Sequence, residues 1–267
     1  MLNIFYKTII GLGFVYLLII IILFLFQEKL IFFPQKIPKS HRFNFAGKHQ
    51  EINIMSNDGA TLNGILFTAE NSKGLILYLH GNGGTINSWG EIAPTYTDLN
   101  YDLFILDYRS YGKSEGKIQS QEQLFTDHQL VYNHLKSLYN ENNIIVLGYS
   151  IGTGFAAKLA SQNNPCLLIL QAPYYSLSDM MRHTYPFVPT FMLKYKLKTN
   201  EYLKTCNIPI VLFHGTNDEV IYYQSSVKIH EEFKSKTTLI SLAEQDHGGI
   251  TDNLVYKAKL ASILAEY

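Results

Sequence analysis

The stretch Gly148-Tyr149-Ser150-Ile151-Gly152 sets a serine between two glycines, after the apolar run Asn143–Leu147 (NIIVL) and before the small-residue stretch TGFAAKLA that begins at Thr153. This is G-x-S-x-G in a strand–turn–helix context. The serine of such an elbow occupies a strained backbone conformation, and side chains at the flanking glycines would clash. A serine hydroxyl is a poor nucleophile at neutral pH. It needs an imidazole to take its proton, and the imidazole needs a carboxylate to hold its tautomer. On an elbow of this kind the chain order is serine, acid, histidine. Downstream of Ser150 lie His183, His214, His230 and His247. His214 ends an apolar strand run, His230 sits inside a helical pattern, and His183 falls in a long irregular stretch. His247 follows the last strand run in the loop Asp246-His247-Gly248-Gly249, where a mobile base is expected. For the acid, Asp218 follows the penultimate strand in His214-Gly215-Thr216-Asn217-Asp218, with Asp179 as the alternative. Asp246 adjoins His247 and would point elsewhere. The expected trio is Ser150, Asp218 and His247.

Acyl transfer also needs backbone N–H groups aimed at the developing oxyanion. One is expected from Ile151, the residue after the nucleophile. The other is expected from Asn82 in His80-Gly81-Asn82-Gly83-Gly84, whose glycines let the main chain approach a substrate closely. His80 is expected to order that loop. Asp107-Tyr108-Arg109 is expected to be a hydrogen-bonded structural loop beside it.

These loops must be held by strands. Glu51–Met55 and Thr61–Thr68 flank the turn Asn57-Asp58-Gly59 as a strand pair. Continuous apolar runs follow at Gly74–Leu79, Asp102–Leu106, Asn143–Leu147, Leu167–Leu170, Pro209–Phe213 and Thr238–Leu242. Such runs suit strands buried on both faces of a parallel sheet. Helical patterns fall between them at Ile86–Leu99, Ser120–Tyr139, Thr153–Gln162, Tyr222–Phe233 and Thr251–Glu266. The alternation predicts a doubly wound, mostly parallel α/β sheet of eight strands. Pro173 to Cys206 breaks the rhythm with three prolines and many aromatics, as expected of a lid over the C-terminal edge of the sheet.

Thr8 to Phe26 carries no charge and is almost wholly apolar. As a helix it would span about 28 Å, close to the hydrocarbon core of a bilayer. No small-residue cleavage site follows, so residues 1–33 are expected to be an uncleaved single-pass transmembrane anchor and residues 34–267 the folded domain, with the lid at about 173–206. Lys7 precedes the segment, while Lys29, Lys36, Lys39 and Arg42 follow it. This leaves both orientations open, with the balance toward a cytoplasmic domain. The 267 residues carry 22 basic and 22 acidic side chains. A zero net charge without a basic run argues against nucleic acid as a partner. Hydrophobic residues make up 47%, which excludes a disordered chain. Cys166 and Cys206 fit no zinc or redox spacing and read as ordinary thiols.

Taken together, these residues resemble the alpha/beta-hydrolase superfamily. The nearest branch is the membrane-anchored, bud-emergence-type hydrolases, relatives of serine aminopeptidases and protein depalmitoylases. The resemblance covers nearly the whole chain. It rests on Leu30-Ile31-Phe32-Phe33-Pro34 after the anchor, the His80–Gly84 loop, Asp107-Tyr108-Arg109 with Tyr111-Gly112 and Ser114, the elbow, and His214-Gly215-Thr216-Asn217-Asp218-Glu219-Val220-Ile221. Ser110 replaces the branch's usual glycine. Its histidine segment often reads Gly-His-Asn, where this chain has Asp246-His247-Gly248. The cysteine cluster that precedes the depalmitoylase domain is absent, since no cysteine precedes residue 166. The resemblance implies the alpha/beta-hydrolase fold and the trio already reasoned. The expected activity is that of a serine hydrolase, an esterase or thioesterase working through an acyl-enzyme on Ser150, with no cofactor and no metal. Its expected partners are a small-molecule or acylated substrate and, through the helix, membrane lipid. The alternatives are an aminopeptidase-like amide hydrolase and a silent binding protein of the same fold.

Overall fold

Eight strands form one sheet in a computed structural model that describes residues 2–267. The strands are β1 (Lys48–Met55), β2 (Thr61–Thr68), β3 (Gly74–Leu79), β4 (Tyr101–Leu106), β5 (Ile144–Tyr149), β6 (Leu167–Gln171), β7 (Ile210–Gly215) and β8 (Thr237–Leu242). Their order is β1-β2-β4-β3-β5-β6-β7-β8. β1 and β2 pair antiparallel, as do β2 and β4, and every later pairing is parallel. The order reverses at β3, which lies between β4 and β5. The loops that leave the C-terminal ends of β3 and β5 therefore meet at the switch point where α/β sheets place their ligands.

Strands β3 to β7 are buried along their length because helices cover both faces. Alternate residues of each strand feed opposite cores. Leu75, Leu77 and Leu79 join one core with Leu124 and Phe155. Ile76 and Tyr78 join the other with Tyr96 and Tyr256. The helices are α1 (Leu2–Leu25), α2 (Gln27–Ile31), α3 (Ile86–Trp89), α4 (Pro94–Thr97), α5 (Gln121–Lys136), α6 (Gly152–Ala160), α7 (Leu177–Thr184), α8 (Thr199–Thr205), α9 (Gln224–Glu232) and α10 (Leu254–Leu264). Ser120 caps α5 through Gln123 N–H, and Asn253 caps α10 through the N–H groups of Val255 and Tyr256.

The strand expectations hold within a few residues. The single helix expected over Ile86–Leu99 is instead two short helices around a 3-10 turn at Gly90–Ile92. Gly90 sits against the Phe45 ring, where a Cβ would come within 2.4 Å of it, and Pro94 has no N–H to continue a helix. The insertion between β6 and β7 carries α7 and α8 on either side of an irregular tip.

The segment before β1 has two parts. The side chains of α1 are mostly exposed, so it is not a core helix. It is long and apolar enough to cross a membrane by length and composition. Residues 27–33 instead pack on the domain. Phe32 is buried in the core against Tyr195, with ring centroids 5.1 Å apart. Gln27 is buried with its side-chain amide bonded to two backbone groups of the insertion, Met192 O (2.7 Å) and Lys194 N–H (2.9 Å).

Candidate active site

Ser150 stands where β5 stops and α6 begins, with φ +54°. Its N–H donates to Gln171 O on β6 (2.9 Å) and its carbonyl accepts from Thr153 N–H (3.0 Å), so the surrounding sheet and helix hold this strained turn. Glycine is required on both sides by close approach. A Cβ on Gly152 would lie 2.0 Å from Leu79 O, and one on Gly148 would lie 2.5 Å from Gly152 O. The first of these contacts also shows how tightly the elbow abuts the end of β3.

His247 enters from the loop after β8. Its Nε2 lies 3.0 Å from Ser150 Oγ and its Nδ1 lies 2.7 Å from Asp218 Oδ2. The His247 carbonyl accepts from the hydroxyl of Tyr149, the residue before Ser150, which ties the His247 loop to the elbow. Asp218 lies on the loop after β7 and every acceptor site it offers is used. Oδ1 accepts from Val220 N–H (2.9 Å) and Ile221 N–H (2.8 Å). Oδ2 is shared by His247 Nδ1 and His214 Nε2, the latter at 3.1 Å. Burial opposes ionisation of Asp218, but hydrogen bonds from His214 and His247 outweigh it and hold the carboxyl well below the usual range. The carboxylate is therefore charged at neutral pH and fixes a proton on Nδ1 of His247, leaving Nε2 free to accept.

His214 is the contributor that sequence reasoning passed over. Its Nε2 faces two acceptors, Asp218 Oδ2 and Ile221 O (2.8 Å), so that nitrogen carries the proton. Its Nδ1 lies 2.6 Å from Ser226 Oγ on α9. The imidazole thus holds the same Asp218 oxygen that His247 contacts. The four-residue spacing of His214 and Asp218 across a strand-ending turn was the available signal.

Among the described residues, neither Ile151 N–H nor Asn82 N–H has an acceptor within the chain. Asn82 is held by its other groups. Its carbonyl accepts from Phe33 N–H (3.1 Å) and Tyr111 Oη (2.8 Å), and its side-chain amide donates to Ile31 O (3.3 Å). The expected donors thus lie on two abutting loops, with their amides free.

The remaining candidates lie apart. Asp179 is paired with Lys228 and Tyr222, His183 stacks on Tyr222, and His230 bonds Thr237. Asp246 takes a bond from Gln245. Arg109 pairs with Asp127 and Asp58, which ties its loop to α5 and to the β1–β2 turn.

Asp107 and His80 form a buried pair behind the Asn82 loop. His80 Nδ1 lies 2.6 Å from Gly81 O, which leaves Nε2 without a donor, 3.7 Å from Asp107 Oδ1. Asp107 Oδ1 accepts from Ile86 N–H (2.9 Å) and Oδ2 has no partner. Burial pushes the Asp107 carboxyl up to about 7, against the pull of Ile86 N–H and the Lys36 charge. Burial likewise lowers His80 to about 4. The folded protein therefore holds the Asp107 proton more tightly than the unfolded chain, whose carboxyl titrates near 3.8. The stability from this site is fully present below that lower value and is lost as pH rises through about 7. Asp107→Asn is expected to flatten this part of the profile. The difference between wild-type and variant unfolding free energies should fall by roughly a few kcal/mol between pH 4 and 8 in urea titrations. A difference independent of pH would show that Asp107 is ionised throughout.

A family model described as serine aminopeptidase, S33, matches residues 70–205. Protein bem46 of Schizosaccharomyces pombe is 29% identical over 232 residues, covering 80% of this chain and 74% of that protein. The alpha/beta hydrolase domain-containing protein aho-3 of Caenorhabditis elegans is 29% identical over 199 residues, covering 73% of this chain and 58% of that protein. An esterase of Pyrococcus furiosus superposes with TM-score 0.70 at 19% identity, covering 88% of this chain and 96% of its own. Est1E of Butyrivibrio proteoclasticus, in a structure with ferulic acid bound, superposes with TM-score 0.64 at 19% identity over 80% of this chain and 96% of its own. At such identities the two structures speak for the fold. The sequence matches speak for descent, and they place this chain in the serine aminopeptidase, S33, family, within the bud-emergence-type branch of the alpha/beta hydrolases.

Proposed function

We propose that this protein is a membrane-anchored serine hydrolase that cleaves carboxylic esters or thioesters through an acyl-enzyme on Ser150. The observation that carries the reading is the unbroken chain from Ser150 Oγ to His247 Nε2 (3.0 Å) and from His247 Nδ1 to Asp218 Oδ2 (2.7 Å). Ser150 Oγ attacks the acyl carbonyl and passes its proton to His247 Nε2. The carbonyl electron pair moves to oxygen, where the N–H groups of Asn82 and Ile151 receive it. Collapse of the tetrahedral adduct breaks the bond to the leaving group, which takes the proton from His247 Nε2. Water then gives a proton to the same nitrogen and attacks the acyl carbonyl. Collapse of that adduct breaks the bond to Ser150 Oγ, which takes the proton back from His247 Nε2, and releases the acid. Asp218 stays ionised and stabilises the transient imidazolium.

Two observations support acyl esters or thioesters as substrates. The insertion between β6 and β7 is rich in Met, Tyr and Phe, and α1 presents an apolar surface that needs an apolar surrounding. The description of the matched family favours amide cleavage as the second reading. The full-length protein in detergent micelles is expected to take one equivalent of a fluorophosphonate probe. It should hydrolyse ester or thioester reporters at least about tenfold faster than matched aminoacyl amides, a margin in the range one site achieves between related substrates. Faster amide cleavage would favour the peptidase reading. A folded protein that takes no probe would be a binding protein of this fold.

A further inference from the structure

Between α1–α2 and the insertion lies a cavity of about 600 Å³, within the range of small-molecule sites. Its lining is apolar apart from Gln27 and Thr184. Ile20, Leu23 and Phe24, successive positions on one side of α1, form one wall, and Met180, Met181 and Leu193 of the insertion form the facing wall. Two of its lining residues are bonded to residues of the candidate site. Phe33, on the rim, donates its N–H to Asn82 O, and Val220 donates its N–H to Asp218 Oδ1.

The tip of the insertion follows α1 away from the domain. Tyr16 Oη donates to Phe187 O (2.8 Å). If α1 crosses a bilayer, this contact fixes the depth of the tip. Were Phe187 to remain in water, only residues 8–15 of the uncharged stretch of α1 would be left in hydrocarbon, about 12 Å of helix against a core of about 30 Å. The tip must therefore lie below the interface.

Its composition agrees. Residues 184–193 carry no charge, and Arg182 precedes while Lys194, Lys196 and Lys198 follow, as cations do at the headgroup level. Phe187 is 85% exposed and Phe191 is 78% exposed, a cost in water that hydrocarbon removes. Irregular backbone survives at that depth only where its polar groups are paired. Part of the tip meets this: Pro186 and Pro189 have no N–H, Val188 and Met192 donate within the tip, and Tyr16 and Gln27 donate to the carbonyls of Phe187 and Met192. The N–H groups of Phe187, Thr190 and Phe191 have no acceptor among the described residues and need headgroup oxygens or water.

We propose that the tip of the insertion is immersed in the bilayer alongside α1, and that the cavity between them holds the long acyl chain of a bilayer-resident ester or thioester, so that the anchor helix is itself a wall of the substrate site. This rests on the acyl-transfer reading above. The scissile carbonyl then reaches Ser150 from the side while its chain stays in an apolar surrounding throughout.

The test uses the full chain in phosphatidylcholine nanodiscs. Wild type contains a single tryptophan, Trp89, so added fluorescence in Phe187→Trp reports the tip. Dibrominated phosphatidylcholine should quench that added signal, and an unquenched signal would overturn the immersion of the tip. The second arm compares 4-methylumbelliferyl palmitate with the butyrate. Leu23→Trp, which fills the cavity from the anchor side, should lower the palmitate-to-butyrate ratio of kcat/KM at least about tenfold. Met181→Trp should do the same from the insertion, which covers the case that Leu23→Trp fails to fold. Leu18→Trp, on the opposite side of α1, should leave the ratio as in wild type. An unchanged ratio in both cavity variants, with a serine that still takes fluorophosphonate, would overturn the acyl site and leave the hydrolase standing. Wild type that takes no fluorophosphonate fails the hydrolase reading itself, and the quenching arm, which needs no catalysis, still decides the position of the tip.

Discussion

Ser150→Ala is expected to lower kcat/KM for the best ester or thioester substrate by about 10⁴-fold or more and to abolish fluorophosphonate labelling. The reason is chemical. Alanine supplies no nucleophile, and the free amides of Asn82 and Ile151 are left to stabilise only a slow attack by water. His247→Ala is expected to cost a similar factor, because the Ser150 hydroxyl then has no base within reach. The double variant should be little worse than either single one, since nucleophile and base act as one unit. Initial rates for the four proteins, with a melting curve for each, make the check. More than about one hundredth of the wild-type rate in Ser150→Ala, a far smaller loss than such variants show, would move the nucleophile elsewhere. Losses that multiply in the double variant would mean that the two side chains act separately.

Asp218→Asn should cost roughly 10⁴-fold in kcat while leaving KM nearly unchanged, in line with acid-to-amide changes in such trios. The hydrogen bonds show why the amide cannot substitute. Asp218 faces four donors: the N–H groups of Val220 and Ile221 on Oδ1, and the two imidazoles on Oδ2. An asparagine must turn its NH₂ toward one pair. Turned toward the backbone, it sets donor against donor on two amides that have no other direction to point. Turned toward the imidazoles, it makes His247 Nδ1 an acceptor and moves the ring proton to Nε2, where it faces Ser150 and blocks proton transfer. The second arrangement disturbs the chain less, so the variant should melt as a folded protein with an unreactive serine. A loss in kcat of less than about tenfold, below the roughly 10²–10⁴-fold expected of acid–base groups, would show that the tautomer of His247 is set by some other group.

Much of this molecule was legible in its sequence, for reasons that are local. Continuous apolar runs of four to six residues cannot be satisfied on a half-exposed sheet, so they announced strands β3 to β7 and the helices that must cover them. The elbow was legible because only glycine fits where Gly152 passes Leu79 O and where Gly148 passes Gly152 O. Chain order after Ser150 then left His247 and Asp218 as the pair that the fold brings to the serine. What the sequence could not decide depends on which distant surfaces meet. A helix was legible over Ile86–Leu99, but the chain there makes two short helices around a 3-10 turn, with Gly90 packed against the distant Phe45 ring. His214 looked like the end of a strand and becomes the second donor to the acid only because α9 and Ile221 fold over it. The apolar N-terminal run declared its length and polarity. That its last turns, through Tyr16 and Gln27, would lie along a Pro- and Phe-rich insertion more than 160 residues away was decided by tertiary packing. Hydrophobic pattern records how much surface a segment must bury, and only the folded chain determines against what.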